Sequence, residues 1–226
     1  MKGVDILALA LRRRIYFGMG GLTMNLPDLI IMQWLLVRYA PPDASRHLVP
    51  AFVCGLAILL GRGMEGGSNP FIGHYSDICR SRWGRRIPFM RFGIVPFVLV
   101  FFLLFMPPIP EMSWINVVYL LALTQVYFLL YGIIVTPYLA LLPEIASDLK
   151  GRVDLTTSQS IFIMVGTIIF ASLGLVLERW GWAALAGSAA TLILVFFIPV
   201  SFWVPEKPQP ATGTQDRLGL WPSLWI

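Results

Sequence analysis

Three side chains that could bind a cation or a proton lie on one face of an apolar stretch of the chain. Arg62, Glu65 and Asn69 are separated by three and four residues, a spacing that places them on the same side of a helix. A carboxylate beside an amide oxygen suits a small hard cation such as Na⁺. A buried glutamate could equally carry a proton. A structural ion pair between Arg62 and Glu65, which would fix helix packing, is the alternative interpretation.

Glycines surround this charged face. Gly63, Gly66 and Gly67 follow Arg62 and flank Glu65. Small residues allow the backbone of a neighbouring helix to approach closely inside a membrane. We therefore expect another helix to pack tightly at these glycines.

Four polar residues in two other apolar stretches are candidates for lining a solute path. Asn25 and Asp28 are three residues apart and share a helix face, and Pro27 lies between them. Gln125 and Tyr131 belong to the fourth apolar stretch, and a ring with a polar tip suits a sugar. Each has a structural alternative, because Asp28 could pair with a neighbour and tyrosine is also a common interfacial anchor.

A short arginine-rich turn follows the charged face. The chain leaves the second apolar stretch through Gly73 and Asp77 and enters the third at Ile87. Between them lie four arginines: Arg80, Arg82, Arg85 and Arg86. Short loops rich in Arg are retained on the cytoplasmic side of a membrane.

The composition indicates a polytopic membrane protein. The chain of 226 residues is 57% hydrophobic and 13% charged, with a mean hydropathy of +0.75. A soluble domain would carry about 25% charged residues. The net charge of +5 is no sign of nucleic-acid binding, because the arginines lie between apolar stretches. No nucleophile–base pair, metal-ligand spacing or phosphate loop indicates an enzyme or a bound cofactor, and a disulfide between Cys54 and Cys79 is not expected.

Six stretches are long and apolar enough to cross a membrane, which requires about 20 residues. They are residues 15–38, 49–76, 88–107, 114–141, 156–177 and 182–204. The predicted fold is therefore an all-α bundle of six transmembrane helices over residues 15–204. Residues 1–14 form a cytoplasmic N-terminal segment, and residues 205–226 form a cytoplasmic linker.

Lysine and arginine are distributed unevenly between the two ends of these stretches. With the N-terminus inside, the outer loops hold only Arg38, Arg46 and Arg179. The inner segments hold Lys2, Arg12, Arg13, Arg14, Arg80, Arg82, Arg85, Arg86, Arg91, Lys150, Arg152, Lys207 and Arg217. This asymmetry predicts a multi-pass protein of the cell (inner) membrane with both ends in the cytoplasm.

The second stretch and its turn resemble the glycoside–pentoside–hexuronide:cation symporters of the major facilitator superfamily. The matching residues are Arg62, Glu65, Asn69-Pro70, Gly73, Ser76-Asp77 and Ser81-Arg82-Trp83-Gly84-Arg85-Arg86. A second block follows the fourth stretch: Thr136-Pro137-Tyr138, Leu142-Pro143-Glu144 and Arg152. The turn is also similar to that of plant sucrose transporters.

The resemblance implies the N-terminal six-helix half of a rocker-switch transporter that moves a sugar or related polar solute with Na⁺ or H⁺. By position, Glu65 and Asn69 correspond to the cation-site residues of the family and Arg62 to its intramembrane arginine. The inner motif, which holds the cytoplasmic gate closed by charge pairing, corresponds to Gly73, Asp77, Arg82, Gly84, Arg85, Arg86, Glu144 and Arg152.

The chain departs from the family pattern at its sugar-binding charges. Asn25, Val135 and Ser160 stand where the melibiose-permease-like group has two acids and an arginine. One cation-site acid is replaced by Asn69. The alternatives are therefore a carrier of an organic anion or a lipid, or a membrane scaffold without transport. The half-length bundle is expected to be a truncated chain that lacks its second six-helix half, or else to pair as a homodimer.

Overall fold

The computed structural model describes residues 2–43, 46–79, 81–146 and 148–204, with side chains from Leu11 onward. These residues form helices joined by short loops. The bounds are α1 Lys2–Tyr39, α2 Ala51–Ile78, α3 Ile87–Leu104, α4 Trp114–Ala140, α5 Leu142–Ile145 and α6 Leu149–Trp203. The predicted linker, residues 205–226, lies outside the described residues.

Four of the helices are long and apolar enough to cross a membrane within the described part of the chain. These segments are Leu11–Tyr39, Ile87–Leu104, Trp114–Ile145 and Leu149–Trp203. The helix α2 has 28 residues, but its second half is rich in glycine and polar side chains, which lowers its hydropathy. The all-α membrane architecture is confirmed, whereas the exact number of six spans stays a prediction.

The longest helix is interrupted at Gly181. The helix α6 contains 55 residues, and at about 1.5 Å per residue it is far longer than one membrane crossing of about 30 Å. Gly181 has φ 77° and ψ −174°, a conformation that residues with a Cβ rarely adopt. The break divides α6 into two arms, residues 149–180 and 182–203, which correspond to the fifth and sixth predicted stretches.

The helices α1, α3, α4 and α6 share one apolar core, and α2 packs mainly against α4. The fully buried large side chains of this core include Leu22, Leu26, Ile30, Phe97, Phe101, Tyr127, Phe128 and Phe197. Many large apolar residues are exposed on the outside, for example Phe52, Leu59, Trp114, Ile168 and Leu175. Such a surface suits surrounding lipid, where apolar side chains need no burial.

The glycine that permits close packing in α2 is Gly61. A Cβ at this position would lie 2.1 Å from Cδ2 of Phe128 in α4, so a larger residue would displace that ring. By contrast, a Cβ at Gly63, Gly66 or Gly67 would meet no atom of the described residues within 4 Å. The prediction of tight packing at those three glycines is wrong, because they lie on the open side of α2.

The end of α3 opposite the arginine-rich turn is tied to its neighbours by side-chain hydrogen bonds. The hydroxyl of Tyr119 donates to the carbonyl of residue 103 at 2.7 Å, and that of Tyr39 to the carbonyl of residue 104 at 2.9 Å. Arg38 Nε donates to the carbonyl of Phe105 at 3.0 Å. These carbonyls lie at the end of α3, where the helix provides few partners, and the three bonds join α1, α3 and α4 there.

Candidate functional site

One arginine faces two carboxylates where α1 and α2 approach each other. Nη1 of Arg62 donates to Oε2 of Glu65 at 2.9 Å, and Nη2 of Arg62 forms an ion pair with Oδ1 of Asp28. The ring of Phe128 lies under the guanidinium, with its centroid 4.8 Å from Cζ. The predicted pair of Arg62 and Glu65 is therefore present, and Asp28 from α1 completes a cluster of three charges.

The cluster is partly open and carries unequal charge. The exposed fractions of the side chains are 34% for Arg62, 31% for Asp28 and 15% for Glu65. With both carboxylates ionised, two negative charges face a single guanidinium. An unbalanced charge is costly at membrane depth, so binding a proton or a monovalent cation here would neutralise the cluster.

Asn69 lies one turn further along α2 and faces α4. Its Oδ1 accepts a hydrogen bond from Oγ1 of Thr136 at 2.9 Å. The backbone of α4 is close, because a Cβ at Gly132 would lie 2.9 Å from the same oxygen. Glu65 and Asn69 are therefore on one side of α2, but Glu65 contacts Arg62 while Asn69 contacts α4.

The other residues predicted for the solute path form bonds between helices. Nδ2 of Asn25 donates to the carbonyl of Ile163 at 3.1 Å and to Oγ1 of Thr167 at 3.0 Å. Gln125 donates to the carbonyl of residue 57 at 3.3 Å. Tyr131 donates through its hydroxyl to the carbonyl of residue 24 at 3.2 Å. These bonds fix α1 against α6 and α4 against α1 and α2; a role in the path stays a prediction.

A small pocket with room for about one water molecule lies among α1, α3, α4 and α6. Its lining residues are Thr23, Met24, Phe97, Tyr131, Ile134, Val135, Tyr138 and Phe197. Tyr131 is the only residue of the predicted path that reaches it within the described ranges. Its lining is mostly apolar and includes neither Asp28 nor Glu65.

A second charged cluster joins the arginine-rich turn to the end of α4. Arg86 contacts Oδ1 of Asp77 at 2.6 Å and Oε1 of Glu144 at 2.9 Å. Arg85 contacts the same oxygen of Glu144 at 2.6 Å. Arg86 also donates to the carbonyl of Ala140. Since Arg86 is buried, these bonds hold the turn between α2 and α3 against α4 and α5.

The remaining residues of the predicted gating motif have different roles. Gly84 has φ 115°, so it shapes the turn that presents Arg85. Arg82 lies over the ring of Trp83, with its Cζ 4.7 Å from the centroid. Arg152 donates to the carbonyl of residue 146 at 3.1 Å. The closest atom to a Cβ at Gly73 would be Cγ2 of Thr136, at 3.9 Å, an ordinary contact.

The sequence pattern of the MFS/sugar transport protein family matches residues 16–224, nearly the whole chain. The chain belongs to this family. Its membership agrees with the resemblance drawn from the second and fourth stretches, and it favours a transporter over an enzyme.

Several curated symporters and transporters are similar to this chain at 24–28% identity. The chain is 28% identical to a symporter of Synechocystis sp. over 172 residues, which cover 73% of this chain and 27% of that protein. It is 27% identical to the inner membrane symporter YicJ of Escherichia coli, over 94% and 48% of the two chains. It is 24% identical to the isoprimeverose transporter of Lactiplantibacillus pentosus, over 87% and 42%. The chain thus spans less than half the length of these relatives.

Sequence reasoning missed three partners in the charged region. The pairing of Asp28 with Arg62 was only an alternative, and neither Thr136 nor Phe128 was assigned to the site. The available signal was the imbalance of charge, because Arg62 lies well inside its apolar stretch, and the two acidic residues Asp28 and Glu65 also lie inside theirs. A lone buried cation attracts every carboxylate within reach.

Proposed function

We propose that the protein acts in cation-coupled symport, with Asp28 and Glu65 as the groups that respond to the coupling ion. The observation that carries this proposal is the pairing of one guanidinium with two carboxylates from two helices. A proton or Na⁺ bound at Glu65 would balance the charge of the cluster. Release of that ion would strengthen the hold of Arg62 on both carboxylates and draw α1 towards α2.

The neutral amide of Asn69 would bind Na⁺ more weakly than a second carboxylate would. Its Oδ1 already accepts the hydroxyl of Thr136, although a carbonyl-type oxygen has a second lone pair. Cation affinity in oxygen sites depends on ligand charge. A proton needs only a carboxylate, so we propose H⁺ as the preferred coupling ion and Na⁺ as the alternative.

We further propose six membrane spans with both ends in the cytoplasm. The two arms of α6 on either side of Gly181 would provide the fifth and sixth spans, and α2 would cross despite its charges. The cluster of Asp77, Arg86 and Glu144 would then lie on the inner side and act as the cytoplasmic gate. A second six-helix bundle, or a second copy of this chain, would close the other side of the transport path.

A sugar or related polar solute is the proposed substrate class, supported by family membership and by the isoprimeverose transporter among the relatives. The residues that line the small pocket favour a second candidate, a less polar solute, although the pocket itself has room for only about one water molecule. Val135 lines it where the resemblance expects an acid, and both tyrosine hydroxyls, of Tyr131 and Tyr138, are donated to backbone carbonyls. Few polar groups therefore remain for sugar hydroxyls within this pocket.

The partial exposure of the charged cluster favours transport over a scaffold role. A scaffold predicts a sealed ion pair, whereas about a third of the Arg62 and Asp28 side chains is exposed. A group that exchanges protons or ions with water needs such access.

Uptake by membrane vesicles that contain the protein as its gene encodes it tests the proposal. Isoprimeverose, other glycosides and a set of less polar organic solutes are offered with a proton gradient, a sodium gradient or no gradient. We expect accumulation of at least one solute only with a gradient, and of glycosides before the others. Equal uptake in vesicles without the protein would contradict transport, and selective uptake of less polar solutes would favour the second candidate.

A further inference from the structure

Two arginines stack on one tryptophan at the end of α3 that follows the arginine-rich turn. The Cζ atoms of Arg82 and Arg91 lie 4.7 and 5.2 Å from the ring centroid of Trp83. Arg91 is also held against α6, because its Cζ lies 4.2 Å from the ring centroid of Phe202 and its Nε donates to the carbonyl of Ser201 at 2.9 Å. The aromatic rings and this bond give both guanidinium groups a defined position.

The positive charge of these two arginines is not neutralised by the described residues. Neither Arg82 nor Arg91 forms an ion pair in residues 46–79, 81–146 or 148–204. The nearby carboxylates of Asp77 and Glu144 contact Arg85 and Arg86 instead. A guanidinium has five N–H donors and is suited to bind phosphate oxygens, so the terminal nitrogens of Arg82 and Arg91 can donate hydrogen bonds to an anionic group.

Two exposed apolar columns extend from this basic end along the outside of the bundle. One belongs to α3 and contains Phe92, Val95 and Leu99, which are 60–68% exposed. The other belongs to the second arm of α6 and contains Phe202, Ile198 and Val195, which are 44–57% exposed. Because α3 and α6 run antiparallel here and meet at Arg91 and Ser201, both columns begin at the arginines and continue for about 10 Å.

We propose that this surface binds an anionic phospholipid. The phosphate would lie against Arg82 and Arg91 beside Trp83, and an acyl chain would lie along the two apolar columns. The charges are complementary, because anionic lipid headgroups attract clustered arginines next to membrane helices. The proposal requires that the chain spans a membrane but does not depend on symport, so the two proposals can fail separately.

A lipid fits this surface better than a soluble anion does. Free phosphate would use only the two guanidinium groups, which are open to water and would hold it weakly. A phospholipid adds van der Waals contact between its acyl chain and six exposed apolar side chains, a contact that free phosphate lacks. The basic surface adjoins the apolar surface, so one phospholipid can contact the arginines with its headgroup and the apolar side chains with its acyl chain.

Native mass spectrometry of the purified protein in detergent tests this assignment. Phosphatidylglycerol and phosphatidylcholine with identical acyl chains are titrated into the wild-type protein, and into the double variant R82Q/R91Q. We expect the wild type to bind phosphatidylglycerol more tightly than phosphatidylcholine. The double variant should lose this preference, with about fivefold weaker binding for each arginine, since each contributes about 1 kcal/mol.

The matched control is R46Q/R179Q, which removes the same charge from the opposite end of the bundle. Arg46 is exposed and pairs with Asp43 across 3.5 Å, and Arg179 is also exposed. This control should bind phosphatidylglycerol as the wild type does. An equal loss in both double variants, or equal binding of the two lipids, would overturn the proposal. Displacement of the lipid by millimolar inorganic phosphate would also overturn it, as it would reveal a simple anion site.

A photoactivatable phosphatidylglycerol provides a test that needs no variant. With the reactive group on the acyl chain, we expect cross-links in peptides that contain residues 92–99 or 195–202. Cross-links confined to other surfaces, such as α2 or the first arm of α6, would contradict the assigned site.

Discussion

Asp28 of α1 and Arg62 of α2 form an ion pair, although 34 residues separate them in the chain. The pair joins two helices that otherwise share few contacts. Glu65 holds the other side of the same guanidinium, so the position of Arg62 depends on both carboxylates.

The first prediction concerns the energetic coupling of Asp28 and Arg62. Arg62→Gln leaves two carboxylates without their cation and should destabilise the protein more than Asp28→Asn, after which Arg62 keeps Glu65. The double variant should lose less free energy of unfolding than the two single variants lose together. The difference, the coupling energy, should be about 0.5–3 kcal/mol. Unfolding in detergent mixtures measures the four free energies, and strictly additive losses would contradict the contact.

The second prediction contrasts two glycines of α2. Gly61→Ala places a Cβ 2.1 Å from an atom of Phe128 and should cost about 1–3 kcal/mol of unfolding free energy through overpacking. Gly63→Ala, only two residues away, meets open space and should be neutral or slightly stabilising, because alanine is the better helix former. Thermal unfolding in detergent compares the two variants. Equal destabilisation would show that the open side of α2 is covered.

The third prediction concerns the strained turn before α3. Gly84→Ala forces a residue with a Cβ to adopt φ 115° and should destabilise the turn by about 1–2 kcal/mol. Gly73→Ala is the matched control within the same motif, since its nearest neighbour is 3.9 Å from the added Cβ. The rate of proteolytic cleavage within residues 79–87 reports on the turn. We expect faster cleavage in the first variant and no change in the second.

The fourth prediction concerns the cluster that ties the turn to α4. Glu144→Gln removes the carboxylate shared by Arg85 and Arg86 and should loosen the turn. The free thiol of Cys79, which is partly exposed next to the turn, provides the reporter. Alkylation of Cys79 should become several-fold faster, on the order expected for the loss of ~1 kcal/mol.

Glu178→Gln is the control for that measurement, because Glu178 is exposed on α6 and far along the chain from the turn. It should leave the alkylation rate of Cys79 unchanged. Cys54 is buried and should stay unmodified in every variant unless the bundle unfolds. Unchanged alkylation in the Glu144 variant would show that the salt bridges do not restrain the turn.

Local spacing predicted those parts of the site that a single helix defines. An offset of three residues was enough to pair Arg62 with Glu65, because such residues are neighbours on any helix surface. The membrane class and most helix ranges followed from runs of apolar residues, which membrane burial requires. The second block, with Glu144, identified the partner of the arginine-rich turn only through the family resemblance.

Contacts between helices were not predictable in the same way. Whether Gly61 or Gly63 faces a neighbour depends on the rotation of α2 about its axis. The residue type does not indicate which side is packed, because both residues are glycine. The bonds of Asn25 to Ile163 and Thr167 depend on how α1 packs against α6. The predicted fifth stretch, residues 156–177, is shorter than the first arm of α6, residues 149–180. The polar residues at the start of this arm lower its hydropathy, so the apolar pattern did not include them.

The most direct test of the central claim is uptake by vesicles that contain the Glu65→Gln variant, with Glu178→Gln as the control. We expect gradient-driven accumulation to fall by about tenfold or more, because each ~1.4 kcal/mol of gradient free energy corresponds to a factor of ten in concentration. Exchange of labelled for unlabelled solute without a gradient should persist in this variant. Gradient-driven accumulation by the Glu65→Gln variant equal to that of the wild type would contradict the account.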